Sequence, residues 1–446
     1  MDELGALVGP MRPIEAFPTV DELNELADKL GARHPERVII SEIGRSRGGD
    51  AIRSVRVGSG ERQIIVIGNP HPNEPIGMAT IAHLLDRMAE DEARTLGATW
   101  HFVLCADPDG TRLNEGWFAG PLTRGRVARG YYRPPAGEQP EWSFPTTWRG
   151  RAVGTPLPET EALMDLIDRT RPAFIASLHN ADFGGGFFYT SGGDETYWSA
   201  LTDLLIAHDL PVHDGAADAP GAALWQRGVF AVPTFATMAD AQVAAGVPED
   251  AAAVGGGGIR DYAARYGAAV LVCELPLWID PRVDDATPSG RTLREVLSEC
   301  AAGYREVAAT GAAVLERIAD RLTGASPFER AATALVAALP EIARTKEAAA
   351  DQDRIATRAE EFTEEYVWLG VFRLRLGGML MRLLDEVAGP AAVAAERARF
   401  GAIFEKWCAD VEADAPGRAV PREQLVAIQA SAIATAVTRL RAGLPL

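Results

Sequence analysis

Four short apolar runs in the first two thirds of the chain each stop at a polar residue suited to chemistry. QIIVIGNP leads into His71 and Glu74, and WHFVLCADPDG leads into Asp107, Asp109 and Arg112. AFIASLH ends on His179, and AAVLVCE ends on Glu274. Continuous apolar runs of this length, rich in β-branched residues, are expected of strands buried on both faces. Between them lie stretches with helical spacing: VDELNELADKLGARHP carries Leu23, Leu26 and Leu30 on one face, and PIGMATIAHLLDRMAED carries Ile81, Leu84, Leu85 and Met88. The alternation predicts an α/β layer fold. In open sheets of that class, ligands bind beyond the carboxyl ends of the strands. Four strands would therefore deliver two imidazoles, two glutamates and an arginine to one edge.

The rest of the chain differs. Residues 116–158 are rich in Pro, Gly, Arg, Trp and Tyr without a sustained period, and read as a long ordered loop. After about Arg291 the strand patterns stop. EFTEEYVWLGVFRLRLGGMLMRLLDEV places Phe362, Tyr366, Leu369, Phe372, Leu376, Leu380, Leu383 and Val387 on one face of a long helix, and a last helix is expected from about Arg422 to Ala442. We divide the chain into an α/β region, residues 1–323, and an α-helical region, residues 324–446, of four or five helices.

Composition narrows the function classes. A formal net charge of −18 argues against a nucleic-acid binder, which needs a basic face, and against docking on anionic membranes. The opening MDELGALVGPMRPIEAF lacks the basic and apolar regions of a secretory signal. Cys105, Cys273, Cys300 and Cys408 are scattered, with no C-x-x-C pair for a thiolate zinc site. A cytoplasmic protein with reduced thiols is the expectation.

Two imidazoles and a carboxylate form a common three-ligand zinc set that leaves a position for water. A further glutamate can take that water's proton, and an arginine can stabilise the oxyanion. The order of motifs is specific: H-x-x-E, a P-D-G turn followed by an arginine, S-x-H after a strand, and a strand ending in Glu-Leu. This resembles the zinc carboxypeptidase (M14) family, over roughly residues 14 to 320. FPTVDELNELADKLGARHPERVIISEIGRSRGGDAIRSVRVGSG is similar to that family's opening helix and hairpin, and NPHPNEPIG to the metal loop of its murein-peptide amidase and aspartoacylase branches. The resemblance implies an α/β fold with a mixed central β-sheet flanked by helices, and one zinc ion per chain. It assigns His71, Glu74 and His179 as ligands, Arg112 as the carbonyl-polarising arginine and Glu274 as general base. Arg133 then stands for the arginine that grips a substrate carboxylate, although Tyr132 replaces the asparagine that usually precedes it. The family's loop tyrosine falls on Ala252, with Tyr262 or Tyr266 as substitutes.

Blander readings stand beside these. Arg112 could form a structural ion pair with Glu115. Asp107 and Asp109 suit turns. Gly255–Gly258 reads as a flexible loop over the site. Arg124, Arg126, Arg129 and Arg133 read as a solvated face, with the alternative that one of them binds a carboxylate; Trp142, Phe144 and Trp148 read as loop anchors rather than a substrate platform, and His83 as structural. The leading expectation is a zinc hydrolase acting on a peptide or acyl-amino-acid amide. The alternatives are a small-molecule amidase or deacylase of the same fold, and a silent binding protein. The helical region is a candidate homo-oligomerisation module.

Overall fold

The computed structural model describes residues 3–213, 219–253, 255–349, 352–389 and 391–446. The apolar runs form strands of a nine-stranded mixed sheet. In chain order its strands are β1 (Val38–Arg45), β2 (Ala51–Val57), β3 (Arg62–Ile67), β4 (Ala98–Val103), β5 (Phe174–His179), β6 (Phe187–Thr190), β7 (Leu224–Gln226), β8 (Val229–Ala231) and β9 (Ala269–Glu274). They lie in the order β1-β2-β4-β3-β5-β9-β6-β8-β7. The central β4, β3, β5 and β9 are parallel, whereas β1 with β2, β2 with β4, β9 with β6, and β8 with β7 are antiparallel.

Successive side chains on a strand point to opposite faces, and both faces are covered. Ile64 and Val66 share a core with Leu23 and Leu30 of the helix Val20–Arg33 and with Ile81 and Leu84 of the helix Ile76–Glu90. Ile65 and Ile67 pack on the other face with Leu163, Leu166 and Ile167 of the helix Pro158–Thr170. The helix Val20–Arg33 starts where its sequence says it must: Thr19 and Glu22 form a reciprocal capping box.

Residues 116–158 are more structured than a loop. They contain the helix Arg124–Gly130 and a hairpin of Thr146–Trp148 with Arg151–Val153. The expected helix around 362–387 runs from Arg358 to Glu386, but a π-helical stretch, Thr363–Trp368, interrupts it. That wider turn breaks the three-and-four spacing, so Val367 is buried while Tyr366 is only half-buried.

The helices after residue 290 do not form one separate body. Leu293–Arg317 packs on Pro327–Glu347 and on Leu369–Glu386, so the division at 323/324 falls inside a helical cluster. The last helix, Arg422–Arg441, leaves that cluster and lies against Ile76–Glu90 and Glu195–Ala207, in the same core as the sheet. Leu369–Glu386 is stitched to the segment before the helix-capping Tyr131: Arg382 Nη1 donates to the carbonyls of Leu113 (2.7 Å) and Gly130 (2.9 Å). The approach is close because Gly378 has no side chain. A Cβ there would lie 1.8 Å from the Ala128 carbonyl oxygen. Gly378→Ala should therefore cost about 1–3 kcal/mol, as overpacking does, read as a lower denaturation midpoint with an unchanged slope.

Candidate metal centre

Three adjacent parallel strands build the centre. Ile67 of β3 pairs with Ser177 of β5, and His179 of β5 pairs with Glu274 of β9. The strands thus end nearly level, and their following residues share one edge. After β3 the chain turns sharply. Asn69 takes a left-handed conformation (φ 46°), and its side chain donates to Thr111 Oγ1 at 3.0 Å. Asparagine tolerates that region better than most residues. Glu74 N–H then donates to the His71 carbonyl at 3.1 Å, which closes the turn that holds the two ligand candidates together.

His71, Glu74 and His179 are buried, and their ligand atoms all lie within 4.8 Å of one another. The Nδ1 atoms of both histidines are buried without a hydrogen-bond partner among the described residues. His179 Nδ1 stands 3.0 Å from Glu74 Oε2 without hydrogen-bond geometry, while its Nε2 lies 3.0 Å from Ser177 Oγ. Such a second contact fixes the ring and leaves the other nitrogen for a metal. Burial and the Arg133 charge push the His71 pKa well below its usual value, opposed in part by Glu74. Burial alone would raise the pKa of Glu74, but the Arg133 charge and the His179 contact hold it well below the ordinary carboxylate range. A neutral imidazole and an ionised carboxylate are the forms that ligate zinc, so the donor set fits that ion.

Glu274 lies just outside the trio, with Oε1 3.7 Å from His179 Nδ1. Arg133 reaches the trio: Nη1 donates to Glu74 Oε1 at 2.7 Å, and Nε donates to Gln139 Oε1 at 3.2 Å. Its guanidinium orients the carboxylate of a candidate ligand. Arg112 is not brought into this group by any contact among the described residues. Its Nε donates to Asp50 at 2.5 Å and its two terminal nitrogens donate to Asp21 at 2.7 and 3.0 Å. Glu115, the partner considered for it, instead accepts from the Val20 amide. Tyr262 is tied elsewhere too. Its hydroxyl donates to Asp168 at 2.8 Å, as does that of Tyr266 at 2.9 Å. Both tyrosines brace the helix Pro158–Thr170.

Several bland readings hold. Asp107 accepts from the Gly110 amide, Asp109 from Ser46 and the Gly48 amide, and His83 Nε2 lies 2.7 Å from the Val8 carbonyl oxygen. Phe144 and Trp148 are buried anchors. The stretch expected to be a loose loop over the site is pinned: Gly256 and Gly257 N–H donate to the carbonyls of Trp142 and Phe144.

Three neighbours have no site role in the sequence reading, which takes Trp142 for a loop anchor and does not single out Glu141 or Gln429. Trp142 is 40% exposed and stands edge-on to His71 at 5.7 Å between ring centroids, so it is a wall of the site rather than an anchor. Glu141 is buried, its Oε2 has no partner among the described residues, and burial pushes its pKa up to about 7, with the Glu74 charge adding to the rise. Gln429, on the last helix, donates to the His179 carbonyl at 2.8 Å and accepts from Thr80 at 2.8 Å. Nothing in PEW or in a helical QAS triplet separates these residues from ordinary loop or helix positions.

Residues 23–199 match the family model described as zinc carboxypeptidase. Among solved structures, carboxypeptidase A from Helicoverpa armigera is similar at 16% identity, covering 62% of this chain and 70% of that one, with a TM-score of 0.41. Bovine thrombin-activatable fibrinolysis inhibitor, solved with tick carboxypeptidase inhibitor, is similar at 13% identity over 58% of this chain and 86% of that one, TM-score 0.39. A metallo-carboxypeptidase from Burkholderia cenocepacia is similar at 18% identity over 58% of this chain and 60% of that one, TM-score 0.35. No curated protein sequence matches the chain. No helix among the described residues is long and apolar enough to cross a membrane.

Proposed function

We propose, starting from a chain that is zinc carboxypeptidase-like over residues 23–199, that the protein is a zinc-dependent hydrolase of a peptide or peptide-like amide bond. The observation that carries this reading is the buried trio of His71, Glu74 and His179, with Glu274 alongside. Zinc held there would polarise a carbonyl and lower the pKa of a water toward about 7. In this reading Glu274 takes the proton from the attacking water and passes it to the leaving nitrogen. Arg133 and the Asn180 amide, which approaches Glu74 Oε2 at 3.3 Å, keep the Glu74 carboxylate oriented. Ser177 holds the His179 ring so that Nδ1 faces the trio. Trp142 gives the substrate an apolar wall beside His71. The oxyanion role does not suit Arg112, which two carboxylates already hold.

Elemental analysis tests the first step. Wild type purified with zinc should hold one ion per chain, and His71→Ala should lose it. Equal zinc in the two proteins would remove this trio from consideration. A library of peptides and acyl amino acids, screened with zinc-loaded protein, then decides between a peptidase and a small-molecule deacylase.

A further inference from the structure

The Nε2 atom of His179 lies 3.0 Å from Ser177 Oγ. That contact leaves open which ring nitrogen carries the proton. A serine hydroxyl both donates and accepts, so Ser177 can receive Nε2–H or donate to a bare Nε2. In the first case Nδ1 keeps the lone pair that a metal needs. In the second, Nδ1 carries the proton and is closed to a metal. Glu74 Oε2, 3.0 Å from Nδ1, pulls the proton toward the closed form, although without hydrogen-bond geometry. Ser177 is fully buried, so the choice falls to what stands behind it.

Behind it stands Glu141. This residue is 6% exposed, and both the Ser177 hydroxyl and the Ile259 amide act on its carboxylate as hydrogen-bond donors. An ionised carboxylate only accepts, and a hydroxyl has one proton. A Ser177 that donates to Glu141 therefore has only lone pairs to offer His179. Glu141 Oε2 is already without a hydrogen-bond partner among the described residues. Losing the serine as well would leave a buried carboxylate poorer still, which weights the hydroxyl toward it. Burial and the Glu74 charge oppose ionisation of Glu141, whereas a cation at the trio would favour it. The backbone that presents the carboxylate is held from two sides. The Pro140 carbonyl accepts from Thr160 Oγ1 at 2.9 Å, and the Trp142 carbonyl accepts from the Gly256 amide at 2.7 Å.

We propose that Glu141 is a positioning residue for the candidate metal centre: acting through Ser177, it keeps the His179 proton on Nε2 and leaves Nδ1 open to the metal. The identity of the ion rests on the zinc reading above; the choice of tautomer rests on Glu141, Ser177 and His179 themselves. Its role differs from that of Glu274, because Glu141 acts on a ligand ring and not on the reacting atoms. Without Glu141 the hydroxyl is free to donate to Nε2. The proton then moves to Nδ1, toward Glu74, and zinc has to displace it.

Zinc affinity and the state of one imidazole, rather than turnover, test this. Full-length wild type, Glu141→Met, Ser177→Ala and the double variant are titrated with zinc against a chelator. Methionine has a similar volume to glutamate but offers the serine no carboxylate. Each single variant should bind zinc about 10–100-fold more weakly than wild type. The double variant should be no weaker than the weaker single, because both act along one chain of contacts. Losses that add would mean that Glu141 acts by its charge alone, and would overturn the proposal. In metal-free protein labelled with nitrogen-15 histidine, the His179 signals, identified by their loss in His179→Gln, should show the proton on Nε2 in wild type and shift toward Nδ1 in both single variants. A proton on Nδ1 in wild type, or a folded Glu141→Met with wild-type zinc affinity or tautomer, would also overturn it. Where Glu141→Met does not fold, the wild-type tautomer and Ser177→Ala decide by the same criteria. A wild type that binds no zinc sinks the metal reading by that measurement alone, and the His179 tautomer still decides whether Glu141 acts on the ring.

Discussion

Glu274→Gln should keep its zinc and its fold and lose turnover by a factor on the order of 10² or more. The side chain is nearly isosteric, so packing changes little, but an amide cannot take a proton from water. The backbone partner of Glu274 on the neighbouring strand is His179 itself. The same ladder that places a ligand candidate therefore places the carboxylate, 3.7 Å from the His179 ring nitrogen. A loss confined to kcat, with zinc content equal to wild type, is the result expected of a proton acceptor. Near-normal kcat on a substrate that wild type cleaves would put the base elsewhere, and Glu141, buried with an unpartnered oxygen, would be the next residue to change.

Ending the chain at Pro421 should abolish the folded state. The helix Arg422–Arg441 looks in sequence like the last member of an appended bundle, but it is a wall of the α/β core. Leu425, Val426, Ile428, Ile433 and Val437 are fully buried there. At about 1.5–3 kcal/mol for each side chain, their removal costs on the order of 10 kcal/mol. That is comparable to a whole domain's stability of about 5–15 kcal/mol. Polar contacts go with them: the His179 carbonyl and Thr80 both lose Gln429. The shortened protein should show weak near-ultraviolet dichroism, bind hydrophobic dyes and fail to retain zinc. A soluble, zinc-loaded, cooperatively unfolding product would mean that the helix is accessory. The distinction matters for the candidate metal centre, because Gln429 ties the His179 carbonyl to the last helix.

Much of the centre was legible because it is local. A run such as QIIVIG or AFIASL declares a strand by its own residue types, and His71, Glu74, His179 and Glu274 follow those strands within a few positions. Once the strands lie side by side, their ends must share an edge, so the trio assembles from chain order and strand direction. The capping box at Thr19 and the Asp107 turn are legible for the same reason: donor and acceptor are three residues apart. What the sequence could not determine is which distant group each side chain meets. Arg112 had a suitable position after a strand, but packing set the carboxylates of Asp21 and Asp50 against it. Tyr262 was drawn to Asp168, Arg133 to Glu74, and Arg375 to the segment just beyond His179. The sequence foretold one apolar face on the helix around residues 362–387 and a last helix from about Arg422, but no partner for either. Whether that face meets another helix or the sheet depends on the shape of the whole core, because apolar burial has no direction of its own and is satisfied by any surface that fits. Helix formation was thus written in the residues themselves, while the partners of Arg112, Tyr262, Arg375 and Gln429 were decided only when the tertiary fold closed around them.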